Sequence, residues 1–282
     1  MILLGCCGTI NEYQAILDMG YDYVELSGRQ IMELSDRQFE SFINSYRPGR
    51  LPCRGFNDYC SGAYPIVGPG CGGASGIEYA QKLLLRGHAL GIKTIGIGAP
   101  AARRLPEGYK RSLADWEMAR FLKTTCQIAA EYHITILLEA VHRHMCSYLN
   151  YTREAVSLVS SLRISNLAIV LDYYHAMVMG ENLQELQYAM PYVRHLHIST
   201  DLDAHKRGYI HAQDVPLLSG LLKDAIAWGY SGGISVEADL AKLTLEGAQC
   251  RNWMHQALLA AEAQSAPSSG GPGEGACDSV QR

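Results

Sequence analysis

Four apolar runs in the second half of the chain each end in a side chain that can bind a metal ion. They are "ILLE", "IVLD", "VRHLH" and "ISVE", and they deliver Glu139, Asp172, His197 and Glu237. One such residue alone is usually an ordinary loop carboxylate or a helix cap, so the prediction depends on all four. Three carboxylates and an imidazole that converge in apolar surroundings repel one another or lose hydration unless a cation binds them. Oxygen donors with one nitrogen favour Mn²⁺, with Mg²⁺, Co²⁺ or Zn²⁺ as alternatives.

Three other polar residues near predicted strand ends are candidate substrate contacts. His175 follows Asp172 by three residues and either caps the next helix or hydrogen-bonds a substrate hydroxyl. Arg143 follows Glu139 and orients it, binds a substrate oxygen or faces solvent. Asn57, at the end of the third predicted strand, is the third candidate.

Two further features near these runs have weaker interpretations. His195 lies one inward-facing position before His197, which favours a core or supporting role. Arg103 and Arg104 follow the fourth predicted strand and could meet a phosphate or carboxylate, although paired loop arginines are commonly surface charge.

The elements that must position these residues are short apolar runs that alternate with helical patterns. Apolar residues recur at three- and four-residue spacing over 77–90, 113–132, 155–162, 215–228 and 248–261. Such alternation implies parallel strands with crossover helices, and eight units close a barrel. An open doubly wound sheet or two domains are the alternatives, but no linker interrupts the alternation. The eight predicted strands are 2–7, 21–26, 51–56, 94–98, 135–139, 167–172, 193–198 and 233–237.

The prediction is therefore a single α/β domain, a (β/α)8 TIM barrel over residues 1–262, followed by a disordered tail over 263–282. The Gly- and Pro-rich segment 58–75 is predicted to be a long loop after the third strand. It lacks the GxxxxGK[ST] pattern of a phosphate-binding loop, which favours a lid or a plain loop.

Composition excludes several classes of protein. A net charge of -4 and a pI near 6.2 disfavour nucleic acid as a partner, because phosphate backbones are bound by clustered Lys and Arg. No apolar run approaches the roughly 18 residues of a membrane span, and the first residues carry no basic segment typical of a signal peptide. The nine cysteines are scattered without paired CxxC motifs, which favours a reducing cytoplasm over a disulfide framework.

With these motifs in place, the chain resembles the xylose isomerase-like TIM-barrel superfamily, in particular its sugar isomerases and ketose 3-epimerases. "ILLEAVHRH", "IVLDYYHAMV", "VRHLHIS" and "ISVEAD" carry the resemblance. It implies a divalent-metal-dependent isomerase or epimerase of a small sugar or polyol-derived ketone, in which two carboxylates move a proton through an enediolate. It also implies a possible homo-oligomer. The implied metal ligands are Glu139, Asp172, His197 and Glu237, with His175 contacting substrate and Glu139 and Glu237 as base and acid.

Two positions depart from the family pattern and leave the substrate open. Met145 stands where the epimerases place a substrate-binding Glu, and Asp203 where a basic residue is expected, with Lys206 and Arg207 shortly after. The alternatives are a dehydratase of a keto-inositol or dehydroshikimate type and a non-catalytic sugar-binding barrel. A phosphodiesterase of the apurinic endonuclease type is disfavoured, because the early strands lack its additional histidines.

Overall fold

Eight parallel strands close into a barrel in the computed structural model, which describes residues 2–200 and 206–265. Each strand pairs with the next along the chain, and the eighth pairs with the first. The predicted TIM barrel is thereby confirmed, and strand bounds shift by at most two residues, as at Tyr23 and Cys53. The strands are β1 Leu3–Gly8, β2 Tyr23–Ser27, β3 Cys53–Asn57, β4 Thr94–Ile97, β5 Thr135–Glu139, β6 Leu167–Asp172, β7 Val193–Ile198 and β8 Gly233–Val236.

Helices surround the barrel, and all five predicted helical segments overlap one of them. Helix α4 is followed by Gly91, whose φ of 76° is left-handed and whose N–H donates to the carbonyls of Gly87 and His88. The last helix reaches Ser265, so residues 263–265 of the predicted tail are helical, while 266–282 lie outside the described residues. The helices are α1 Tyr13–Met19, α2 Gly28–Glu33, α3 Asp36–Ser45, α4 Ala74–Leu90, α5 Arg111–Glu131, α6 Thr152–Leu162, α7 Tyr173–Val178, α8 Val215–Ala227 and α9 Leu243–Ser265.

Strand alternation explains how the barrel presents polar residues at one end. A small apolar cluster of Leu137, Ala168 and Val170 is separate from the main core between the strands and helices. Since side chains two residues apart point the same way, Leu137 is followed by Glu139 and Val170 by Asp172. Charged side chains therefore lie at the carboxyl ends of the strands, above a layer of apolar side chains in the barrel interior.

The long loop after β3 is held by hydrogen bonds to the segment after β4 and to helix α5. Residues 58–73 contain no helix or strand, which confirms most of the loop predicted over 58–75, whereas Ala74 and Ser75 already belong to helix α4. The Ile66 N–H donates to the Ala102 carbonyl at 2.7 Å, and the Gly68 N–H donates to the Glu117 carboxylate at 2.8 Å. These contacts tie the loop to the segment after β4 and to helix α5.

The part of the chain that the structure describes contains neither a disulfide bond nor a helix that could span a membrane. The eight cysteines within residues 2–200 and 206–265 are all free thiols, as predicted, while Cys277 lies outside this part. Among these same residues, no helix combines the length and apolar character needed to cross a membrane.

Candidate metal and active site

The four residues predicted as metal ligands come together at the carboxyl ends of strands β5 to β8. Glu139 and Asp172 end β5 and β6, His197 is next to last in β7, and Glu237 follows β8 directly. His197 Nδ1 lies 3.4 Å from Glu139 Oε1, 3.9 Å from Asp172 Oδ2 and 3.1 Å from Glu237 Oε2. One ligand atom from each residue lies within 4.8 Å of the other three. A single cation could contact all four after small side-chain movements.

Two atoms at the centre of this cluster lack a hydrogen-bond partner among the described residues. They are Glu139 Oε1 and His197 Nδ1, and both are buried. Buried polar atoms nearly always have a partner, and a cation would satisfy a carboxylate oxygen and an imidazole nitrogen together. Three carboxylates and one imidazole are also ligands that Mn²⁺ and similar divalent ions accept. The residues present therefore fit a divalent metal ion.

The carboxylates of the cluster differ in how readily they ionise. Burial raises the pKa of Glu139 to about 7, an effect that Glu237 and Asp172 increase and His197 opposes. Burial also acts to raise the pKa of Asp172 and of Glu237, but Arg207 and His197 outweigh it and lower both values. The environment thus separates the pKa values of Glu139 and Glu237.

An arginine from the loop after β7 supplies positive charge to the cluster. Arg207 Nη2 donates to Asp172 Oδ2 at 2.8 Å, and Arg207 Nη1 lies 3.3 Å from Glu237 Oε2. Arg207 had no predicted role, because no strand or helix pattern fixes the position of this loop residue. Asp203, the departure noted nearby, lies outside the described residues.

His175 lies beside this cluster, as its prediction as a substrate contact requires. Its Nε2 accepts a hydrogen bond from Arg207 Nη2 at 2.8 Å, and burial lowers its pKa to about 3. The helix α7 is capped by Asp172, whose side chain accepts from the His175 N–H at 3.0 Å. His175 is therefore not the helix cap, and its neutral ring faces the cavity.

The other two predicted substrate contacts differ in position. Asn57 lines the same cavity as His175, and its buried Oδ1 has no hydrogen-bond partner in the described parts of the chain. Arg143 is exposed, and its guanidinium lies 5.4 Å from the centre of the Tyr151 ring. A turn closed by the hydrogen bond from the Met145 N–H to the His142 carbonyl directs Arg143 away from the cavity.

The paired arginines after β4 each donate a hydrogen bond to a backbone carbonyl. Arg103 is fully buried, and its Nη2 donates to the Glu139 carbonyl at 2.7 Å. Arg104 donates to the Met145 carbonyl at 3.0 Å. Both side chains therefore support the loop after β5, and Met145 itself is 37% exposed.

A cavity of about 450 Å³ opens above the four-residue cluster. This volume is in the range of small-molecule sites. The cavity is lined by Glu139 and Glu237 of the cluster and by residues from both halves of the barrel. The first half contributes residues such as Cys7, Ser27, Arg29 and Asn57, and the second half contributes Met145, His175 and Arg207.

A second cavity, of about 210 Å³, lies under the long loop between helices α4 and α5. It is lined largely by aromatic and aliphatic side chains such as Tyr59, Tyr79 and Phe121. Its acidic residue Glu117 already accepts hydrogen bonds from the Gly68 N–H and the Tyr109 hydroxyl. None of the four candidate ligands lies there, so the 450 Å³ cavity is the candidate active site.

A buried polar group around Glu25 lies beneath the cluster and was not predicted from the sequence. Glu25 of β2 is 3% exposed, and its Oε1 lies 2.5 Å from His195 Nε2 and 3.3 Å from His197 Nε2. Ser235 also donates to Glu25 Oε1, and Cys7 Sγ lies 4.0 Å from His197 Nε2. The sequence did contain a signal for this group, because Glu25 lies in the middle of the apolar run "YVELS". A carboxylate in a buried strand needs polar partners, so partners for Glu25 could have been predicted.

Comparisons with known proteins agree with this architecture. The Mus musculus protein named "Putative hydroxypyruvate isomerase" is 27% identical over 178 residues, which cover 60% of this chain and 62% of that protein. The chain thus matches about three-fifths of that relative's length. An L-ribulose 3-epimerase superposes with a TM-score of 0.73 at 15% identity, covering 94% of this chain and 97% of its own. A 3-keto-D-glucoside 4-epimerase from E. coli, in its apo form, gives 0.70 at 19% identity, covering 90% and 99%.

At these identities the two superpositions establish the fold alone, and the family follows from a match to the sequence itself. A family model described as xylose isomerase-like TIM barrel matches residues 13–250, well over half of the chain. The resemblance read from the strand-end motifs is thereby confirmed, and the chain belongs to the xylose isomerase-like TIM barrel family.

Proposed function

We propose that this protein is a divalent-metal-dependent isomerase or epimerase of a sugar or of a related polyol-derived ketone. Family membership supports the carbohydrate class, as do the epimerase and isomerase names of the similar proteins. The observation that carries the proposal is the convergence of Glu139, Asp172, His197 and Glu237 beside a cavity that Glu139 and Glu237 line. Two of the buried ligand atoms have no hydrogen-bond partner among the described residues.

The four converging residues would hold the metal ion. When bound, a divalent cation polarises the carbonyl and hydroxyl oxygens of a substrate and stabilises negative charge as a neighbouring C–H is deprotonated. Mn²⁺ is the ion we propose for this donor set, with Mg²⁺, Co²⁺ and Zn²⁺ as alternatives to be tested.

Glu139 and Glu237 are proposed to move the proton. They reach the cavity from β5 and from the end of β8, and their pKa values are displaced in opposite directions. Such a separation suits one carboxyl as acid and the other as base. Removal of a proton by one group and its return by the other on the opposite face gives epimerisation. Return to the neighbouring carbon gives isomerisation.

His175, Arg207 and Asn57 are proposed to bind the substrate. His175 is kept neutral by burial, and its acceptor nitrogen holds the cationic Arg207, so the pair can present guanidinium donors to hydroxyl and carbonyl oxygens. Asn57 offers a buried carbonyl oxygen without a partner among residues 2–200 and 206–265. Arg143, predicted as a further contact, would need its loop to rearrange in order to reach the cavity.

The partner is proposed to be a small molecule and not nucleic acid, in line with the chain's net charge of -4. The cytoplasm is the proposed compartment, which suits the free cysteines of the described residues. A homo-oligomer remains a prediction drawn from the family.

The test combines metal analysis with hydrogen exchange. Purified protein is assayed for bound metal, and then incubated with Mn²⁺ in D₂O with ketoses, sugar phosphates, hydroxypyruvate, keto-inositols and dehydroshikimate. NMR follows deuterium uptake at carbon and any loss of water. We expect uptake with at least one ketose or hydroxy-ketone, abolished by EDTA. Loss of water instead would favour a dehydratase, and a metal-loaded but inert protein would favour a sugar-binding barrel.

The variant Glu237→Gln tests the acid and base assignment. Glutamine has nearly the same shape as glutamate but cannot transfer the proton. The rate of hydrogen exchange at the substrate carbon should therefore fall about 100- to 10,000-fold. Glu78→Gln, at an exposed position on helix α4, is the matched control and should keep the wild-type rate. Exchange that persists at the wild-type rate in Glu237→Gln would contradict the assignment.

A further inference from the structure

We propose that Glu25 is a positioning residue, which fixes the His197 ring so that Nε2 carries a proton and Nδ1 faces the cluster as a ligand. The proposal rests on the proposed function, because it gives Nδ1 a metal ion to bind. It concerns a residue of β2, which is separated from β7, the strand that carries His197, by β1 and β8.

The two nitrogens of His197 face different carboxylates. Nδ1 points to Glu139, Asp172 and Glu237 at 3.1 to 3.9 Å, whereas Nε2 points to Glu25 Oε1 at 3.3 Å. An ionised carboxylate only accepts hydrogen bonds, so either side of the ring could attract the imidazole proton. Without Glu25, three carboxylates would draw the proton to Nδ1 and block that atom as a metal ligand. With Glu25, a proton on Nε2 has an acceptor and Nδ1 keeps its lone pair.

Glu25 is itself held by several neighbours. His195 Nε2 lies 2.5 Å from Glu25 Oε1, and the Ser235 hydroxyl donates to the same oxygen. Ser235 also contacts the Tyr23 hydroxyl at 3.0 Å, which extends the group across the barrel interior. Ser235 pairs in register with His197, so the support lies level with the ring it orients. The carboxylate therefore has little freedom to turn away from His197.

The surroundings also leave room for this carboxylate. A Cβ atom on Gly55, the neighbour of Glu25 in β3, would lie 3.4 Å from Glu25 Oε2 and 2.5 Å from Thr94 Oγ1. A larger residue there would collide with Thr94 and press on Glu25. Glycine at this position keeps the space in which the Glu25 side chain lies.

The same residues could be considered as a second metal site, since Glu25, His195 and His197 offer three ligand atoms close together. The contact between Glu25 Oε1 and His195 Nε2 is 2.5 Å, a hydrogen-bond distance. Two ligands of a tetrahedral ion with bonds of about 2.1 Å lie about 3.4 Å apart. The geometry thus favours a hydrogen-bonded support, and the experiment below separates the two roles.

The first measurement is Mn²⁺ binding by calorimetry to the full chain and to Glu25→Gln and Glu25→Ala. We expect the Kd for Mn²⁺ to rise about 10-fold in the amide variant, which is a weaker acceptor, and about 100-fold in the alanine variant. The matched control is Glu117→Gln, because Glu117 is also buried and hydrogen-bonded but lies at the far cavity. It should bind Mn²⁺ with the wild-type Kd even if it is less stable.

The second measurement locates the imidazole proton without any metal. In metal-free protein with ¹⁵N-labelled histidine, His197 should give an Nε2–H resonance protected from solvent, assigned by its absence from His197→Asn. That protection should be lost in Glu25→Ala and kept in Glu117→Gln. A purely structural role for Glu25 would not move this proton selectively.

The outcomes separate this proposal from the proposed function. Folded Glu25 variants that bind Mn²⁺ within twofold of wild type and keep the protected proton would overturn the positioning role. Two Mn²⁺ ions per wild-type chain, one of them lost in Glu25→Gln, would replace it with a second metal site. If the wild type binds no divalent ion, the metal-dependent function fails, while the position of the Nε2 proton still decides whether Glu25 orients His197.

Discussion

The two halves of the barrel contribute different kinds of residue to the cavity. Strands β5 to β8 end in carboxylates and an imidazole, whereas strands β1 to β4 end in small or neutral residues. Charged groups in the first half pair mainly with each other, as Arg29 does with Asp58 at 3.0 Å. The residues at the ends of the first four strands are Gly8, Ser27, Asn57 and, directly after β4, Gly98.

This difference shows how a symmetric fold can carry an asymmetric site. The second half concentrates negative charge that Arg207 offsets in part and that a bound cation would offset further, while the first half leaves volume in which a substrate can lie. Gly98 illustrates the spatial role, because a Cβ atom there would lie 2.5 Å from Glu139 Oε2. The exception is Glu25, which supports the second half from below.

The comparison can be tested most strongly by removing one arginine from each half. Arg207→Met leaves the buried carboxylate of Asp172 and the partly buried one of Glu237 without their guanidinium partner, so the metal-free protein should lose about 3 kcal/mol of unfolding free energy. Arg29→Met breaks a half-exposed pair with Asp58 and should cost less than about 1 kcal/mol. Urea unfolding in EDTA measures both, and Mn²⁺ should restore more stability to Arg207→Met than to wild type. Equal losses in the two variants would contradict the division of charge between the halves.

The same division explains what the sequence could predict. Strands β5, β6 and β7 were predicted with their observed bounds, and β5 and β6 are apolar runs that each end at a carboxylate. The sequence could also predict that the four candidate ligands are neighbours in space, because the carboxyl ends of all strands lie at the same end of a barrel. These ligands are Glu139, Asp172, His197 and Glu237. Their role as metal ligands stays a prediction until an ion is measured.

Residues outside this regular pattern could not be placed from sequence. Arg207 reaches the cluster from a loop, and no periodicity fixes where a loop side chain points. Glu25 lies within a strand, but its direction depends on which face of β2 is turned inward. Arg143 follows Glu139 closely in sequence, but it is exposed and its guanidinium lies beside the Tyr151 ring, so its role as a substrate contact stays a prediction.

A second test adds one methyl group to the first half. Gly98→Ala places a Cβ where it collides with the Glu139 carboxylate, so hydrogen exchange at carbon should slow by up to about 100-fold. The matched control is Gly96→Ala on the same strand, whose Cβ would meet its nearest atoms at 3.6 Å, an ordinary contact. The NMR exchange assay with Mn²⁺ compares the two. If both variants exchange equally fast, the space at the end of β4 does not position Glu139.

The smallest expected effect concerns the protonation of a histidine in the charged half. The pKa of His175 is lowered to about 3 by burial, below its ordinary value near 6.5, so the folded protein keeps this ring neutral. As pH falls through 6.5, the unfolded chain takes up a proton that the folded one does not, and stability is lost. Between pH 7.5 and 5.5 this loss amounts to about 1.4 kcal/mol for one such group.

His175→Gln should remove that part of the pH dependence. In EDTA, the wild-type free energy of unfolding should fall between pH 7.5 and 5.5 by about 1.4 kcal/mol more than that of His175→Gln. His88→Gln, at an exposed position of helix α4 in the first half, is the control and should follow the wild-type profile. Urea unfolding at the two pH values measures the difference. Parallel profiles for wild type and His175→Gln would mean that His175 gains its proton in the folded site, and that the neutral acceptor proposed to hold Arg207 is absent there.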